Sequence, residues 1–206
     1  MNQIKKLSLA AISATLMLFG PSSYATPITS STNNPYSFTW SYNSGAGVLT
    51  GSGSMNVTGW NTNVLSLFIT LFNTADLSTN RLTSFGFGID PNATGVSFVD
   101  NKPGGMIGAT LNNIPSLALI EVCAFGGNNC SGGSNGGILG GGSDSFTLNL
   151  TGTWGSSINI DPVGFKYQTG VGSYEFTTAT AVPEPASLAL LGLGLVGLGF
   201  VRRKRT

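Results

Sequence analysis

Apolar and polar residues alternate with a period of two through much of the chain. Between residues 36 and 42, aromatic side chains occupy every second position and hydroxyl side chains fill the positions between them. A similar alternation of apolar and polar residues returns between residues 146 and 151. Because successive side chains of a strand point to opposite faces of a sheet, each segment predicts a strand with one buried face.

Two longer segments are almost uniformly apolar. Residues 64–72 read Val-Leu-Ser-Leu-Phe-Ile-Thr-Leu-Phe, and residues 117–125 are similar apart from Glu121. Such runs predict central strands that are buried on both faces. Clusters of turn-forming residues delimit shorter predicted strands, at residues 48–57, 81–89, 96–100, 164–168 and 174–178. Together these strands predict an all-β body, built as an antiparallel β-sandwich or a jelly roll.

The chain opens with a basic segment and a short apolar run. Lys5 and Lys6 precede the apolar residues 7–19, and Ser23 and Ala25 place small residues at the two positions that a signal peptidase reads. The run is shorter than the roughly 20 residues of a membrane span. We therefore predict a Sec signal peptide over residues 1–25, cleaved after Ala25, with a retained N-terminal anchor as the alternative.

A second apolar run lies in residues 182–206, between a proline-rich motif and a basic cluster. The motif consists of Val182, Pro183, Glu184 and Pro185, and the basic cluster consists of Arg202, Arg203, Lys204 and Arg205. The two prolines favour an extended, accessible chain around Glu184. A helix over residues 186–201 would rise about 24 Å, against a hydrocarbon core of roughly 30 Å. The apolar run and its basic stop still favour a hydrophobic membrane helix with the basic end in the cytoplasm.

Residues 126–142 are rich in glycine, and a cysteine pair flanks the start of this segment. Such a composition offers little side-chain surface to bury, which predicts a mobile surface loop. Cys123 and Cys130 are the only cysteines, and in an exported protein they predict a disulfide. Two free thiols or a redox switch are the alternatives, although the spacing is not that of a Cys-x-x-Cys pair.

Composition limits the chemistry that the body can perform. The chain of 206 residues has room for one ordinary domain between its terminal segments, so we assign residues 26–181 to a single body. The absence of histidine removes Ser-His and Cys-His catalysis and imidazole metal sites. Three cationic and seven acidic side chains give residues 26–181 a net charge of −4. A negatively charged body is not expected to bind nucleic acid.

Carboxylates, tryptophans and one turn are the remaining candidates for a site. Glu121 lies in an apolar run, where a paired or solvent-facing carboxylate is preferred to a catalytic acid. Trp40, Trp60 and Trp154 could form a sugar-stacking platform or belong to the core. Residues 139–146 partly fit a calcium-binding repeat, but one imperfect copy is better explained as a loop that enters a strand. We expect no enzyme, no cofactor and no metal site.

The order of features at the C-terminal end resembles a known family. Val-Pro-Glu-Pro-Ala-Ser, a leucine- and glycine-rich run and Arg-Arg-Lys-Arg are similar to the PEP-CTERM sorting domain of Gram-negative bacteria. The resemblance covers residues 182–205. It implies that an exosortase, a membrane-embedded cysteine transpeptidase, recognises Pro183, Glu184 and Pro185, removes the tail and passes the body to the surface. The body, with its two cysteines and glycine-rich segment, also resembles the cistern group of these proteins.

This resemblance implies an exported surface or extracellular-matrix protein. It would use the Sec translocon and signal peptidase, stay briefly in the inner membrane, and reach the cell surface or extracellular matrix of a Gram-negative bacterium. Family members are usually associated with exopolysaccharide and with biofilm or floc matrices, so the resemblance implies a structural role near exopolysaccharide. The alternative function is a carbohydrate-binding module for exopolysaccharide.

Overall fold

The body of the protein is built from strands, turns and loops. The computed structural model describes residues 27–29, 35–133 and 135–178, and these residues contain no helix long and apolar enough to cross a membrane. They belong to one compact unit, Ala25–Ala179, whereas the other unit, Met1–Tyr24 with Thr180–Thr206, lies outside the description. The predicted signal peptide and the predicted helix over residues 186–201 therefore also lie outside it.

The described part of the chain contains twelve strands. They are β1 (Ile28–Thr29), β2 (Tyr36–Ser44), β3 (Gly47–Trp60), β4 (Val64–Asn73), β5 (Arg81–Asp90), β6 (Gly95–Lys102), β7 (Gly108–Leu111), β8 (Val122–Phe125), β9 (Ile138–Leu139), β10 (Ser143–Thr151), β11 (Ser157–Gln168) and β12 (Ser173–Thr177). The sequence pattern missed the short strands β1, β7 and β9.

These strands form two antiparallel sheets. The five-stranded sheet has the order β2-β3-β4-β10-β6, and the seven-stranded sheet has the order β1-β11-β5-β8-β7, with β12 paired to β11 and β9 paired to β5. Aromatic rings pack between the sheets: Phe38 stacks on Phe85 at a centroid distance of 5.7 Å, and Trp40 stacks on Phe165 at 4.2 Å. The body is an antiparallel β-sandwich, which confirms the predicted fold class.

Strand β4 lies in the middle of its sheet but is buried on one face only. Leu65, Leu67, Ile69 and Leu71 are fully buried, whereas Phe72 is 48% exposed. The prediction that both faces of this strand are buried is wrong, because the outward side chains of the five-stranded sheet contact solvent.

A layer of loops covers the outer face of the seven-stranded sheet. We call residues 112–121 and 126–133 the cover. Ile114, Ile120, Cys123 and Cys130 form an apolar cluster that is separate from the main core. Only Val122–Phe125 of the predicted strand 117–125 is a strand, because the chain before it turns, with Ile120 N–H donating to the Leu117 carbonyl at 3.1 Å.

The glycine-rich segment contributes to the cover through its backbone. Gly126, Gly127 and Gly132 are buried, and Gly126 N–H donates to the Thr83 carbonyl of β5 at 2.9 Å. At Gly132, φ is +83° and a Cβ atom would lie 3.0 Å from Lys166 Cε. The segment was predicted to be a mobile surface loop, but these buried glycines pack on the sheet, because a chain without side chains can approach a sheet closely.

Candidate functional site

The residues that the sequence assigns to sorting lie outside the described part of the chain. They are Ser23 and Ala25 of the predicted cleavage site, Val182, Pro183, Glu184 and Pro185 of the motif, and Arg202, Arg203, Lys204 and Arg205 of the basic cluster. The body ends close to the motif in the chain. Thr178 follows β12 and donates its N–H to the Val163 carbonyl at 2.8 Å, so three residues, 179–181, separate Thr178 from the motif.

The two cysteines connect the cover to the seven-stranded sheet. Cys123 in β8 and Cys130 in the cover are joined by a disulfide, and both residues are buried. Ser84 Oγ of β5 donates to the Cys130 carbonyl at 3.2 Å. The disulfide and this hydrogen bond hold the start of the glycine-rich segment against the sheet.

An ion pair lies beneath the cover. Lys166 of β11 and Glu175 of β12 are directly opposite one another, and the Lys166 ammonium bonds to the Glu175 carboxylate, with side chains 8% and 14% exposed. The charge of Lys166 is therefore compensated within the sheet, and the arrangement is that of a structural contact.

Asp144, the acid of the calcium-like segment, is fully buried. Its carboxylate accepts backbone N–H groups from Met106 at 2.6 Å and from Ser145 at 2.7 Å. Burial raises the pKa of Asp144 above its usual range, and the two N–H donors act in the opposite direction. The side chain anchors the segment before β7 to the start of β10. Within residues 27–29, 35–133 and 135–178, no group of three or more His, Cys, Asp or Glu side chains is placed to hold a metal ion.

Glu121 is the last residue of the first cover segment, directly before β8. Its N–H donates to the Phe87 carbonyl at 3.1 Å, and its Oε2 atom is buried and has no hydrogen-bond partner among the residues that the structure describes. The expectation of a paired or solvent-facing carboxylate is wrong for this oxygen, because Glu121 lies where the cover enters the sheet and not in a central strand.

The three tryptophans do not form a shared platform. Trp40 and Trp154 are 5% and 4% exposed, and both belong to the main core. Trp40 Nε1 donates to the Tyr167 hydroxyl at 2.9 Å, and Trp154 Nε1 donates to the Leu150 carbonyl at 3.3 Å. Trp60 is half-buried and donates to the Gly155 carbonyl at 3.1 Å. The interpretation of Trp40 and Trp154 as sugar-stacking residues is therefore wrong, because both fill the space between the sheets.

Uncharged polar side chains line most of the outer face of the five-stranded sheet. We call it the hydroxyl face. We define it by the outward side chains Ser37, Thr39, Ser41, Ser52, Ser54, Asn56, Ser66, Phe68, Thr70, Phe72, Ser97, Val99, Ser143, Ser145, Thr147 and Asn149. At the ends of the strands the same side of the sheet also carries Asn43, Val48, Thr50, Val64 and Thr151. None of these side chains is buried, and none is charged. Lys102 adds one charge at the sheet edge, where its ammonium donates to Ser143 Oγ at 2.9 Å.

Cross-strand hydrogen bonds order one half of the hydroxyl face. Ser66 Oγ donates to Asn149 Oδ1 at 2.7 Å, and Thr147 Oγ1 donates to Asn101 Oδ1 at 2.7 Å. The Thr70 and Ser145 hydroxyls lie 3.2 Å apart in a further hydrogen bond. Sequence alternation predicted polar faces for individual strands, but it could not show that five such faces lie side by side. The register of the strands supplies that information.

Comparison with known proteins identifies the C-terminal segment. A family model described as "PEP-CTERM protein-sorting motif" matches residues 181–205. No curated protein and no solved structure matches the chain. The match includes the Pro183-Glu184-Pro185 motif and the basic cluster through Arg205. Residues 181–205 therefore identify the chain as a carrier of the PEP-CTERM protein-sorting motif, which supports exosortase-dependent sorting of an exported protein whose C-terminal end passes through a membrane.

Proposed function

We propose that this chain is a non-enzymatic protein of the cell surface or extracellular matrix, delivered there by an exosortase. The match of residues 181–205 to the PEP-CTERM sorting motif carries this proposal. The Sec translocon exports the chain, signal peptidase cleaves after Ala25, and the C-terminal helix holds the protein in the inner membrane of a Gram-negative bacterium. The exosortase then acts at Pro183, Glu184 and Pro185, and the body enters a biofilm or exopolysaccharide matrix.

Several properties of the body support a structural role. The sequence has no histidine, and the buried Lys166 charge is compensated by Glu175. The fully buried carboxylate of Asp144 accepts two backbone N–H groups. These groups stabilise loops and strands, and their hydrogen-bonding capacity is directed to neighbours within the fold.

Replacement of Pro183, Glu184 and Pro185 by alanine tests the sorting role. We expect the triple variant to accumulate in the membrane with its tail attached, whereas the wild-type protein reaches the surface without the tail. Intact mass spectrometry of membrane and surface fractions from an exosortase-bearing host measures both species. Thr180→Ala, just before the matched residues, is the control and should be processed normally. Normal release of the triple variant would refute the proposal.

A further inference from the structure

The charge of the hydroxyl face indicates what kind of ligand it suits. Its side chains carry hydroxyl, amide and a few apolar groups, and Lys102 at the edge is already bonded to Ser143. A ligand with many charges would find no compensating charges here and would lose its own hydration. The face therefore suits an uncharged ligand that both donates and accepts hydrogen bonds.

The part of the face formed by β2 and β3 carries polar side chains that are available to bond a ligand. Ser37 and Thr39 of β2 and Ser52, Ser54 and Asn56 of β3 make no side-chain hydrogen bond within the described part of the chain. Each hydroxyl can donate one hydrogen bond and accept others. Neighbouring strands are about 4.8 Å apart and alternate residues of a strand about 7 Å apart, so these groups form a regular two-dimensional array.

Two aromatic rings interrupt the array on its central strand. Phe72, 48% exposed, lies directly between Ser52 and Ser143, and Phe68 lies between Asn56 and Thr147. Residues four apart in a strand are separated by about 14 Å. A pyranose ring presents apolar C–H groups on its faces and hydroxyl groups at its edge, so it can contact a phenyl ring and the adjacent hydroxyls together. The spacing of the two rings suits a polymer that extends over several sugar units.

A second copy of the chain fits this face less well. The centres of protein interfaces are rich in aromatic residues, methionine and arginine and are depleted of serine, whereas serine and threonine dominate the hydroxyl face. We propose that the hydroxyl face binds a neutral polysaccharide, with Phe68 and Phe72 in contact with sugar rings and the β2 and β3 hydroxyls bonded to sugar hydroxyls. This inference rests on one part of the proposed function, the export of the protein, which brings the face into contact with extracellular polysaccharide.

Affinity electrophoresis and pull-down with defined polysaccharides test the proposal. The probes are dextran, mannan and microcrystalline cellulose as neutral chains and alginate as an anionic chain. The full chain is used in a polyoxyethylene detergent, because a sugar-based detergent would compete. We expect binding to at least one neutral polysaccharide and none to alginate. Phe72→Ala should weaken that binding by about tenfold or more through the lost apolar contact.

Two further variants make the result specific to the face. Ser54→Lys places a long charged side chain in the middle of the array and should also abolish binding. Leu119→Ala removes an apolar side chain that is 73% exposed on the cover and should bind like the wild-type protein. Thermal unfolding of each variant shows whether it is folded.

Three outcomes would overturn the proposal. They are a wild-type protein that binds none of the neutral probes, binding that survives both Phe72→Ala and Ser54→Lys, and a concentration-dependent dimer in sedimentation that Phe72→Ala dissociates. The third result would make the face an interface between copies. The proposed function fails separately: a protein that binds polysaccharide but never loses its tail contradicts the sorting role alone. A protein that is processed but binds no polysaccharide contradicts this inference alone.

Discussion

Tyr167 is the residue at which buried polar contacts between the two sheets converge. Its hydroxyl accepts a hydrogen bond from Trp40 Nε1 and lies 2.9 Å from Asn73 Oδ1, to which it donates. Asn73 Nδ2 in turn donates to the Asn80 carbonyl at 3.0 Å and to the Ile138 carbonyl at 2.7 Å. One hydroxyl on β11 therefore links β2 and β4 of the opposite sheet, in a core that is otherwise apolar and aromatic.

Tyr167→Phe should reduce the free energy of unfolding by about 1–3 kcal/mol, because Trp40 and Asn73 each lose a buried partner. Urea unfolding near neutral pH measures this loss. Tyr42→Phe is the matched control, since the Tyr42 ring is 37% exposed and its hydroxyl makes no hydrogen bond in the described structure. A loss as large in the control would show that the effect does not come from the buried contacts.

The same residue predicts a dependence of stability on alkaline pH. Burial raises the pKa of Tyr167 above its ordinary value of 10.0, so the unfolded chain loses this proton at a lower pH than the folded chain. The stabilising contribution is fully present below the unfolded pKa and is lost as pH rises above it. Between about pH 8 and about pH 11 the wild-type protein should lose more stability than Tyr167→Phe. Parallel losses in both proteins would contradict this reason.

Strand β5 packs against a different layer on each of its two faces. Phe85 and Phe87 point into the core between the sheets, while Gly86 and Gly88 alternate with them and face the cover. A Cβ atom at Gly86 would lie 2.5 Å from a methyl group of Ile120 and 2.7 Å from the Val122 carbonyl oxygen. The Phe-Gly alternation therefore places large side chains on the face toward the core and no side chains on the face toward the cover, where there is no room for them.

Gly86→Ala should destabilise the body by about 1–3 kcal/mol, because the added methyl group must displace the cover or the strand beneath it. The control is Gly155→Ala, where an added Cβ atom meets nothing within 4 Å and the effect should stay within about 0.5–1 kcal/mol. Thermal or urea unfolding of both variants gives the comparison. Equal stability of the two variants would mean that the cover does not press on β5.

The sequence pattern predicted those elements whose structure depends on neighbouring residues, and it missed those that depend on packing against distant parts of the chain. Alternation in residues 36–42 and 146–151 predicted β2 and β10, because each strand buries one face against the other sheet. The cover was not predicted, since glycine carries no hydrophobic period and its packing depends on a sheet formed by distant residues. The predicted burial of both faces of β4 was wrong for a related reason. An apolar run does not reveal whether a second layer packs on each face of the sheet, and Phe72 on the outer face is exposed.

The candidate site was predicted in the same uneven way. The tail motif at Pro183, Glu184 and Pro185 is contiguous, so a linear reading was sufficient and the family model matches it. The hydroxyl face is assembled from five strands in the order β2-β3-β4-β10-β6, and no local pattern reveals that Ser52 and Ser143 flank Phe72. The sequence left the tryptophans open between a core and a sugar-stacking platform, since an aromatic residue has the same appearance in both, and the structure assigns Trp40 and Trp154 to the core.

At the scale of the whole molecule, the sorting information and the fold occupy different parts of the chain. The family model matches residues 181–205, whereas the last strand of the described residues ends at Thr177 and is followed by the backbone hydrogen bond of Thr178 to Val163. The hydrogen bonds and aromatic contacts described above for the body are made between residues 27 and 178. Stability of the body and processing of the tail should therefore respond to different substitutions.

The disulfide provides the test of this independence. Cys123 and Cys130 close a ring of about eight residues, and their joint replacement by serine should cost about 2–3 kcal/mol through loop-closure entropy. The thermal midpoint should fall by about 5–10 °C for a chain of this size, and amides of the cover should exchange faster. Tail removal, measured by intact mass, should continue if the exosortase acts at Pro183, Glu184 and Pro185 as proposed, because this substitution leaves the motif unchanged. The triple alanine variant of Pro183, Glu184 and Pro185 should show the reverse, with an unchanged thermal midpoint and a retained tail. If loss of the disulfide blocked processing in protein that is still folded at the growth temperature, the exosortase would have to read the body as well as the tail.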